Sequence, residues 1–236
     1  MSEIVVISGD RNIIITGFMA TGKTSTGRLL AERLNRPFID MDAELVAQFG
    51  KPIRDVFTRE GEAVFRTAEA ALCTKLAERT GCVISTGGGA LVNPQNRESF
   101  AKTGTVLCLT ATADEILRRV ADTGERPLLN TARDEQDQRV RSLLRERRLA
   151  YGAIAHQIDT TGLSTEQVVE RVLETLAGDA EVTNMTRIPV RGPEGSYHIC
   201  IGEGLLHEAG KLLANRGLRK GTAAIVTNPH DRARSC

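Results

Sequence analysis

The stretch GFMATGKT, Gly17–Thr24, decides the fold of this chain. It fits the pattern G-x-x-x-x-G-K-[ST], in which glycines let the backbone curl so that its N–H groups point at phosphate oxygens. The apolar run Asn12–Thr16 before it predicts a short buried strand, and Ser25–Leu34 after it predicts a helix. A helix N-terminus adds partial positive charge at the same place. We interpret the stretch as a phosphate-binding loop; the alternative is a glycine-rich turn that fits by chance.

The loop assigns chemistry to individual residues. Lys23 is placed to reach the β- and γ-phosphates of a nucleotide, and the Thr24 hydroxyl is placed to bind Mg²⁺. The backbone around them would hold the remaining phosphate oxygens. The loop residues expected to bind nucleotide are Gly17, Ala20, Thr21, Gly22, Lys23, Thr24 and Ser25.

Composition excludes several classes of function. The chain has 236 residues, of which 41% are hydrophobic, with 31 basic against 30 acidic side chains. This balance gives no reason to expect nucleic acid or an anionic membrane as partner. We find no apolar run near the ~18 residues of a membrane span, and no signal peptide. The five cysteines are scattered without C-x-x-C spacing, which favours free thiols in a reducing cytoplasm over metal binding.

Strand and helix patterns alternate along the first 176 residues. This alternation predicts a parallel sheet covered by helices on both faces, with every loop that follows a strand at one edge. Ligands bind at that edge. The predicted strands are Asn12–Thr16, Pro37–Asp40, Cys82–Ser85, Val106–Leu109 and His156–Asp159. The predicted helices are Lys23–Leu34, Ala43–Phe49, Glu62–Arg79, Ala113–Val120, Glu135–Ala150 and Thr165–Leu176.

A polar segment, Ala121–Asp134, separates two of these helices. It contains Gly124 and several charged residues. Next to a phosphate site, such a segment is typical of a mobile lid, although an ordinary surface loop has the same composition.

Composition changes again after Leu176. Small polar residues over 177–186 indicate a linker between a first domain, 1–176, and a segment, 187–236. That segment predicts strands Ile188–Val190 and Tyr197–Gly202 around a turn, then helix Leu205–Arg216 and strand Ala223–Thr227. About fifty residues bury little surface on their own, so we expect the opening of a second domain that is cut short.

Two acidic residues end the second strand. Asp40 and Asp42 are two positions apart, so on an extended segment both carboxylates face the ligand edge. Asp40 is suited to hold a water of the Mg²⁺ shell, and Asp42 to accept a hydrogen bond or a proton from a substrate hydroxyl. The alternative for Asp42 is a helix N-cap. Beside a phosphate loop, metal and substrate explain the pair better.

Glycines and arginines supply further candidates. Gly87, Gly88 and Gly89 follow the third strand and would let the backbone approach a ligand, although a plain turn needs the same residues. Phosphoryl transfer and carboxylate binding both require cations. The candidates are Arg66, Arg119, Arg126 and Arg147, but spacing alone does not separate them from solvated surface arginines.

Residues 12 to about 176 resemble the shikimate kinase family. The resemblance rests on six ordered runs, whereas the phosphate loop alone is far less specific. It implies an α/β, three-layer P-loop kinase fold with a five-stranded parallel sheet, followed by a short α/β C-terminal fragment. The runs are Gly17–Thr24, Phe38–Glu44, Gly61–Glu69, Ser85–Ala90, Arg126–Leu129 and Arg147–Tyr151.

The resemblance implies transfer of the γ-phosphate of ATP to the 3-hydroxyl of shikimate, a step of chorismate and aromatic amino acid biosynthesis. Catalysis would rest on Lys23, Asp42 and Arg126, the last on the lid. Thr24 and Asp40 would hold Mg²⁺, and Arg119 would lie near the adenine. Shikimate would be bound by Asp42, Arg66, Gly87, Gly88, Gly89 and Arg147. The family's Arg-x-Pro-x-Tyr lacks its proline here, since Leu149 takes its place. A monomeric, cytoplasmic kinase is implied.

Residues from about 187 to 228 resemble the start of dehydroquinate synthase. The matching run is Ile188–Gly202, followed by Gly204–Leu206 and Ala224–Thr227. That family's NAD⁺ site and metal ligands have no counterpart in this sequence. We therefore expect a truncated fragment without synthase activity, in which His198 and His207 are not zinc ligands.

Two other functions remain open from the residues. Another small-molecule P-loop kinase, for example one acting on gluconate, would also use cations and a carboxylate. A kinase-like domain that only senses nucleotide or shikimate would not need the transfer residues Lys23, Asp42 and Arg126, and their presence argues against it.

Overall fold

The computed structural model describes residues 11–123, 133–183, 186–192 and 195–201. The chain divides into two units, Met1–Ala180 and Glu181–Cys236. All of the candidate site residues from Gly17 to Arg147 belong to the first unit.

A five-stranded parallel sheet forms the centre of the first unit, with strand order β2-β3-β1-β4-β5. The predicted sheet is thus confirmed in type and number of strands. Placing β1 in the middle puts the phosphate loop between the loops that follow β3 and β4. The strands are β1 Asn12–Gly17, β2 Phe38–Asp40, β3 Val83–Ser85, β4 Gly104–Thr110 and β5 His156–Asp159.

Eight α-helices are described in this chain, and none of the described helices is long and apolar enough to cross a membrane. A short 3₁₀ turn, Ala90–Val92, follows the glycine run. The helices are α1 Lys23–Arg33, α2 Met41–Phe49, α3 Ile53–Arg59, α4 Glu62–Ala77, α5 Pro94–Thr103, α6 Ala113–Thr123, α7 Arg133–Gly152 and α8 Thr165–Thr183.

Successive side chains of β1 point to opposite faces of the sheet, and both faces are buried. Ile14 packs into a cluster with residues of α2 to α5, including Met41 and Phe65. Ile13 and Ile15 point into the opposite cluster, where α1 and α8 contribute. Strands buried on both faces are apolar throughout, which explains why Ile13, Ile14 and Ile15 follow one another directly.

The largest differences from the predicted elements in the first unit concern three helices. α3 and α5 were not predicted, and α8 continues to Thr183 instead of ending at Leu176. The segment that the sequence assigned to a linker is therefore helical over its first seven residues, 177–183.

An antiparallel hairpin is described in the second unit. Its strands are β6 Thr186–Gly192 and β7 Gly195–Ile201, with Gly192 paired to Gly195 across the turn. These strands are longer than the predicted Ile188–Val190 and Tyr197–Gly202. The predicted helix Leu205–Arg216 and strand Ala223–Thr227 lie outside the described residues.

Candidate active site

The backbone of the phosphate loop requires glycine at two positions. Gly17 has a φ of +137° and Gly22 a φ of +90°, both in the range that side chains disfavour. A β carbon on Gly17 would also lie 2.1 Å from the carbonyl oxygen of Leu109. α1 begins directly after Gly22, and no side chain caps its first N–H groups. A helix end of this kind is suited to bind an anion.

Lys23 lies folded against the loop. Its Nζ donates to the carbonyl oxygen of Phe18 at 2.9 Å, and the Thr21 hydroxyl donates to the same oxygen at 2.8 Å. The ammonium therefore stands at the inside of the curl, where the loop pattern places the β- and γ-phosphates.

Asp40 joins the loop to the second strand. One of its carboxylate oxygens accepts a hydrogen bond from the Thr24 hydroxyl at 2.7 Å. The other accepts from the backbone N–H groups of Asp42 at 3.0 Å and Ala43 at 3.3 Å, and so caps α2. The alternative in which Asp42 caps this helix is wrong, because the helix begins at Met41, two residues before the predicted Ala43, and Asp40 is its N-cap.

The glycine run after β3 is in contact with three of the predicted substrate residues. A β carbon on Gly87 would lie 2.6 Å from Asp42 Oδ1, and one on Gly89 would lie 2.6 Å from Arg66 Nη1. Gly88 stands between Arg147 Nη1, at 3.5 Å by the same measure, and the backbone of the phosphate loop, at 3.3 Å. Residues far apart in sequence therefore meet around one turn, and the small size of glycine leaves room for the ends of these side chains.

Arg66 is held by two carboxylates and two rings. Its guanidinium donates to Glu62 and, through Nη1, to Glu69 at 2.8 Å. The carbon of the guanidinium lies 5.8 Å and 5.4 Å from the ring centres of Phe57 and Phe65, within cation–π range. Burial raises the pKa of Glu69, and the hydrogen bond from Arg66 opposes this rise.

Arg147 and Tyr151 of α7 reach the glycine run from its other side. Arg147 Nη1 donates to the carbonyl oxygen of Gly88 at 3.0 Å, and the Tyr151 hydroxyl donates to it at 2.5 Å. The Arg147 guanidinium also lies 5.5 Å from the ring centre of Phe18. Burial is the main reason that the pKa of Tyr151 is raised, so its hydroxyl stays protonated and acts as a donor.

Arg119 connects the phosphate loop to the end of β5. It donates to the carbonyl oxygen of Ala20 at 3.1 Å and to that of Thr160 at 2.6 Å. Glu115 accepts from Arg119 Nε at 2.7 Å. A cavity of about 260 Å³ lies beside this arginine, bounded by the loop, the start of α1 and residues between Leu163 and Val168.

Comparison with known proteins then gives the family. The family model of shikimate kinase matches residues 19–177. The chain belongs to the shikimate kinase family. The shikimate kinase of Geobacter metallireducens is 42% identical over 177 residues, which cover 75% of this chain and 98% of that protein. The shikimate kinase of Pelotomaculum thermopropionicum is 43% identical over 166 residues, covering 70% and 95%.

Solved shikimate kinases share the fold. The structure from Acinetobacter baumannii in complex with shikimate superposes with a TM-score of 0.67 at 34% identity, covering 72% of this chain and 94% of that one. The structure from Aquifex aeolicus gives a TM-score of 0.62 at 35% identity, covering 72% and 98%. The P-loop kinase fold implied by the sequence is thereby confirmed.

One predicted catalytic residue of this shikimate kinase family member cannot be placed. Arg126 lies outside the described residues, as does most of the predicted lid Ala121–Asp134, of which only the ends continue α6 and begin α7. Its role stays a prediction.

Three residues with clear contacts at the site were given no role by the sequence analysis. Glu69 pairs with Arg66, Tyr151 bonds to Gly88, and Glu115 holds Arg119. Glu69 and Glu115 stand three and four residues from their arginines on a helix, a spacing at which side chains meet. That spacing was readable, but it is common on solvated helix faces.

Metal binding by the protein alone has little support among the described residues. No group of three or more His, Cys, Asp or Glu side chains there is arranged to hold a metal ion. The Thr24–Asp40 pair instead fits an ion such as Mg²⁺, which keeps several waters and takes few protein ligands.

Proposed function

We propose that this chain transfers the γ-phosphate of ATP to the 3-hydroxyl of shikimate, as a step of chorismate biosynthesis. One observation carries the proposal beyond the family relationship. The turn Gly87–Gly89 lies against Asp42, Arg66 and Arg147 and also against the phosphate loop. An acidic group, two cations and the phosphate loop thus adjoin one turn, and this supports transfer to a hydroxylated carboxylic acid.

The donor end is built from the loop and Arg119. Backbone N–H groups of the loop and the Lys23 ammonium would bind the phosphates, and the cavity beside Arg119 would take the adenine. Thr24 would bind the metal directly, and Asp40 would hold a water of its shell. Bound Mg²⁺ would neutralise charge on the β- and γ-phosphate oxygens.

The acceptor end is built from Asp42 and two arginines. The guanidinium groups of Arg66 and Arg147 would bind the shikimate carboxylate, since arginine forks suit carboxylates. Asp42 would accept the proton of the 3-hydroxyl while the oxygen of that hydroxyl bonds to the γ-phosphorus. The bond from that phosphorus to the β–γ bridging oxygen then breaks, and ADP leaves. Arg126 would reach over the transferred group when the lid closes.

The test is a coupled assay of ADP release with Mg²⁺, run in parallel on shikimate and gluconate. We expect turnover with shikimate, and product identified as shikimate 3-phosphate by mass spectrometry. The Lys23→Ala variant sets the background, because it should lose roughly 10²–10³-fold in turnover. Equal turnover on gluconate would favour another small-molecule kinase. Binding of both ligands without turnover would favour a sensor.

We further propose that the kinase domain acts as a monomer in the cytoplasm. The resemblance to the shikimate kinase family supports a kinase that works as a single chain. The described cysteines Cys73, Cys82 and Cys108 are buried free thiols, which supports a reducing compartment. Light scattering during size-exclusion chromatography measures the oligomeric state; a dimer in which both chains are needed for turnover would contradict the proposal.

For residues 187–236 we propose a segment similar to the start of dehydroquinate synthase that has no synthase activity, joined through 177–186 to the kinase domain. The sequence match over Ile188–Gly202 supports this, as does the β6–β7 hairpin that the match spans. Detectable cyclisation activity in the purified protein would overturn the proposal.

A further inference from the structure

The carbonyl oxygen of Gly88 accepts two hydrogen bonds from successive turns of α7. Arg147 and Tyr151 are four residues apart, so both face the same way along the helix. The Tyr151 side chain is only 7% exposed, and its hydroxyl makes the shorter of the two bonds, at 2.5 Å against 3.0 Å for Arg147. Among the described residues, the Gly88 carbonyl is the acceptor for that buried hydroxyl.

This pair of bonds fixes a peptide between two arginines. All described peptide bonds are trans, so holding the Gly88 carbonyl also sets the direction of the Gly89 N–H on the opposite side of the same plane. Gly89 in turn lies against Arg66, since a β carbon there would come 2.6 Å from Arg66 Nη1. The Gly88–Gly89 peptide therefore acts as the spacer between Arg147 and Arg66.

We propose that Tyr151 is a positioning residue for acceptor binding. By satisfying the Gly88 carbonyl, its hydroxyl keeps the spacer in place and lets the Arg147 guanidinium turn to a substrate carboxylate without leaving that carbonyl unpaired. In this role the tyrosine would act through Gly88 and Arg147, without contacting either substrate. This inference rests on the proposed function, because it assigns Arg66 and Arg147 to the shikimate carboxylate.

The decisive variant is Tyr151→Phe, which keeps the ring and removes the hydroxyl. With the hydroxyl gone, Arg147 is the remaining side-chain donor to the Gly88 carbonyl, and it must leave that oxygen unpaired to reach substrate. We expect the shikimate KM to rise roughly tenfold, the usual cost of one such hydrogen bond. The ATP KM should stay unchanged, because the adenine cavity and the phosphate loop lose no contact.

Ile154→Val is the matched control. Ile154 lies in the same buried cluster as Tyr151, so this change loosens packing and lowers Tm without removing a donor. The shikimate KM of the control should equal that of the wild type. An equal rise in both variants would mean that Tyr151 acts only through packing, and would overturn the inference.

Tyrosine fluorescence provides a second measurement that leaves Tyr151 intact. The chain has no Trp and only two Tyr, so in a Tyr197→Phe protein the emission comes from Tyr151 alone. Shikimate should change this emission saturably, over the concentration range of its KM. No change at saturating shikimate would count against the inference.

The outcomes separate this inference from the proposed function. Wild-type protein that does not phosphorylate shikimate would overturn both. Wild-type turnover combined with a normal shikimate KM in Tyr151→Phe would overturn the role of Tyr151 alone.

Discussion

Ala20 adopts a backbone conformation that costs free energy. Its φ is 60°, in the left-handed region, and it stands in the middle of the phosphate loop. For an alanine this conformation is about 1–2 kcal/mol less favourable than a right-handed one. The Arg119 guanidinium bonds to the Ala20 carbonyl and helps to keep the strained peptide in place. Strain of this kind is common at ligand sites.

Replacing Ala20 by glycine should therefore stabilise the protein. We expect Ala20→Gly to raise the free energy of unfolding by about 0.5–1 kcal/mol, since relief of strain exceeds the added entropy of the unfolded chain. Urea unfolding measures this. Ala71→Gly, the same chemical change on an exposed position within α4, should lower the free energy of unfolding by about 1 kcal/mol. Equal losses in both variants would contradict the strain at Ala20.

Replacement of Arg66 should weaken the binding of shikimate and leave the binding of ATP unchanged. Arg66→Ala removes a cation from the glycine run and leaves the buried Glu69 without its hydrogen-bonded partner. We expect the shikimate KM to rise roughly 10- to 100-fold, as for loss of a charge-assisted bond, with little change in the ATP KM. Steady-state kinetics with each substrate varied give both constants. Arg59→Ala, an exposed arginine of α3, is the control and should change neither; similar rises in both constants for Arg66→Ala would contradict its assignment.

Glu115 should make stability depend on pH below neutrality. Hydrogen bonds from Arg118 and Arg119 lower its pKa from 4.5 to about 2. Because the folded state binds the proton less tightly than the unfolded state, the carboxylate adds stability above about pH 4.5, and this is lost as pH falls towards 2. The difference in unfolding free energy between wild type and Glu115→Gln should thus be constant at higher pH and shrink below it. Urea titrations from pH 7 to 3 measure this difference; a constant value throughout would contradict the lowered pKa.

At the scale of the element, two helix N-caps allow an effect on stability to be distinguished from an effect on function. Asp40 caps α2 and Asn93 caps α5, each accepting backbone N–H bonds through its side chain. Asp40 alone also bonds to Thr24.

Alanine at either cap should cost about 1 kcal/mol of unfolding free energy. Only Asp40→Ala should also raise the Mg²⁺ concentration needed for half-maximal turnover, because it removes a carboxylate beside the proposed metal position. Thermal unfolding and Mg²⁺ titration of the two variants measure this. The same Mg²⁺ dependence in both would remove Asp40 from the metal site.

Two helices, α3 and α5, were not predicted, and in both the sequence lacks the usual helical pattern. α5 has a polar sequence, and Phe100 is its one buried large apolar residue, so it lacks the repeat of apolar positions on which helix prediction depends. Its start signals were present, with Asn93 as cap and Pro94 in the first turn. α3 has only seven residues, too few for a period to show. The central strand β1 was predicted because Ile13, Ile14 and Ile15 follow one another without a polar residue.

At the scale of the molecule, the site could be predicted because the fold is regular. Once β1, β2 and β3 are parallel neighbours, the residues that follow them must meet at one edge. The loop, Asp42 and the glycine run needed nothing more. Which arginines join them could not be read from spacing, since Arg66 and Arg147 are selected by close approach to glycines that have no side chain. Their roles came from the family resemblance.

The kinase should not need residues beyond α8. The family match ends at residue 177, and every placed site residue precedes it. We expect a variant that ends at Thr183 to keep the kcat and both KM values of the full chain. A variant that ends at Leu176 loses the last turns of α8 and should have a lower Tm. Loss of turnover on removing only residues 184–236 would show that the second unit contributes to the kinase.

The strand order has a consequence for how such an enzyme can change. In the proposed function, recognition of the molecule to be phosphorylated would depend mainly on elements around β2 and β3, whereas the phosphate donor would bind around β1 and β5. If so, we expect substitutions in α2 and α4 to change which alcohol is phosphorylated and to leave the use of ATP intact. α7 is the exception. It packs beside α6, on the side of the proposed donor site, yet its Arg147 reaches the glycine run at the proposed acceptor site. This would limit how independently the two sites can evolve.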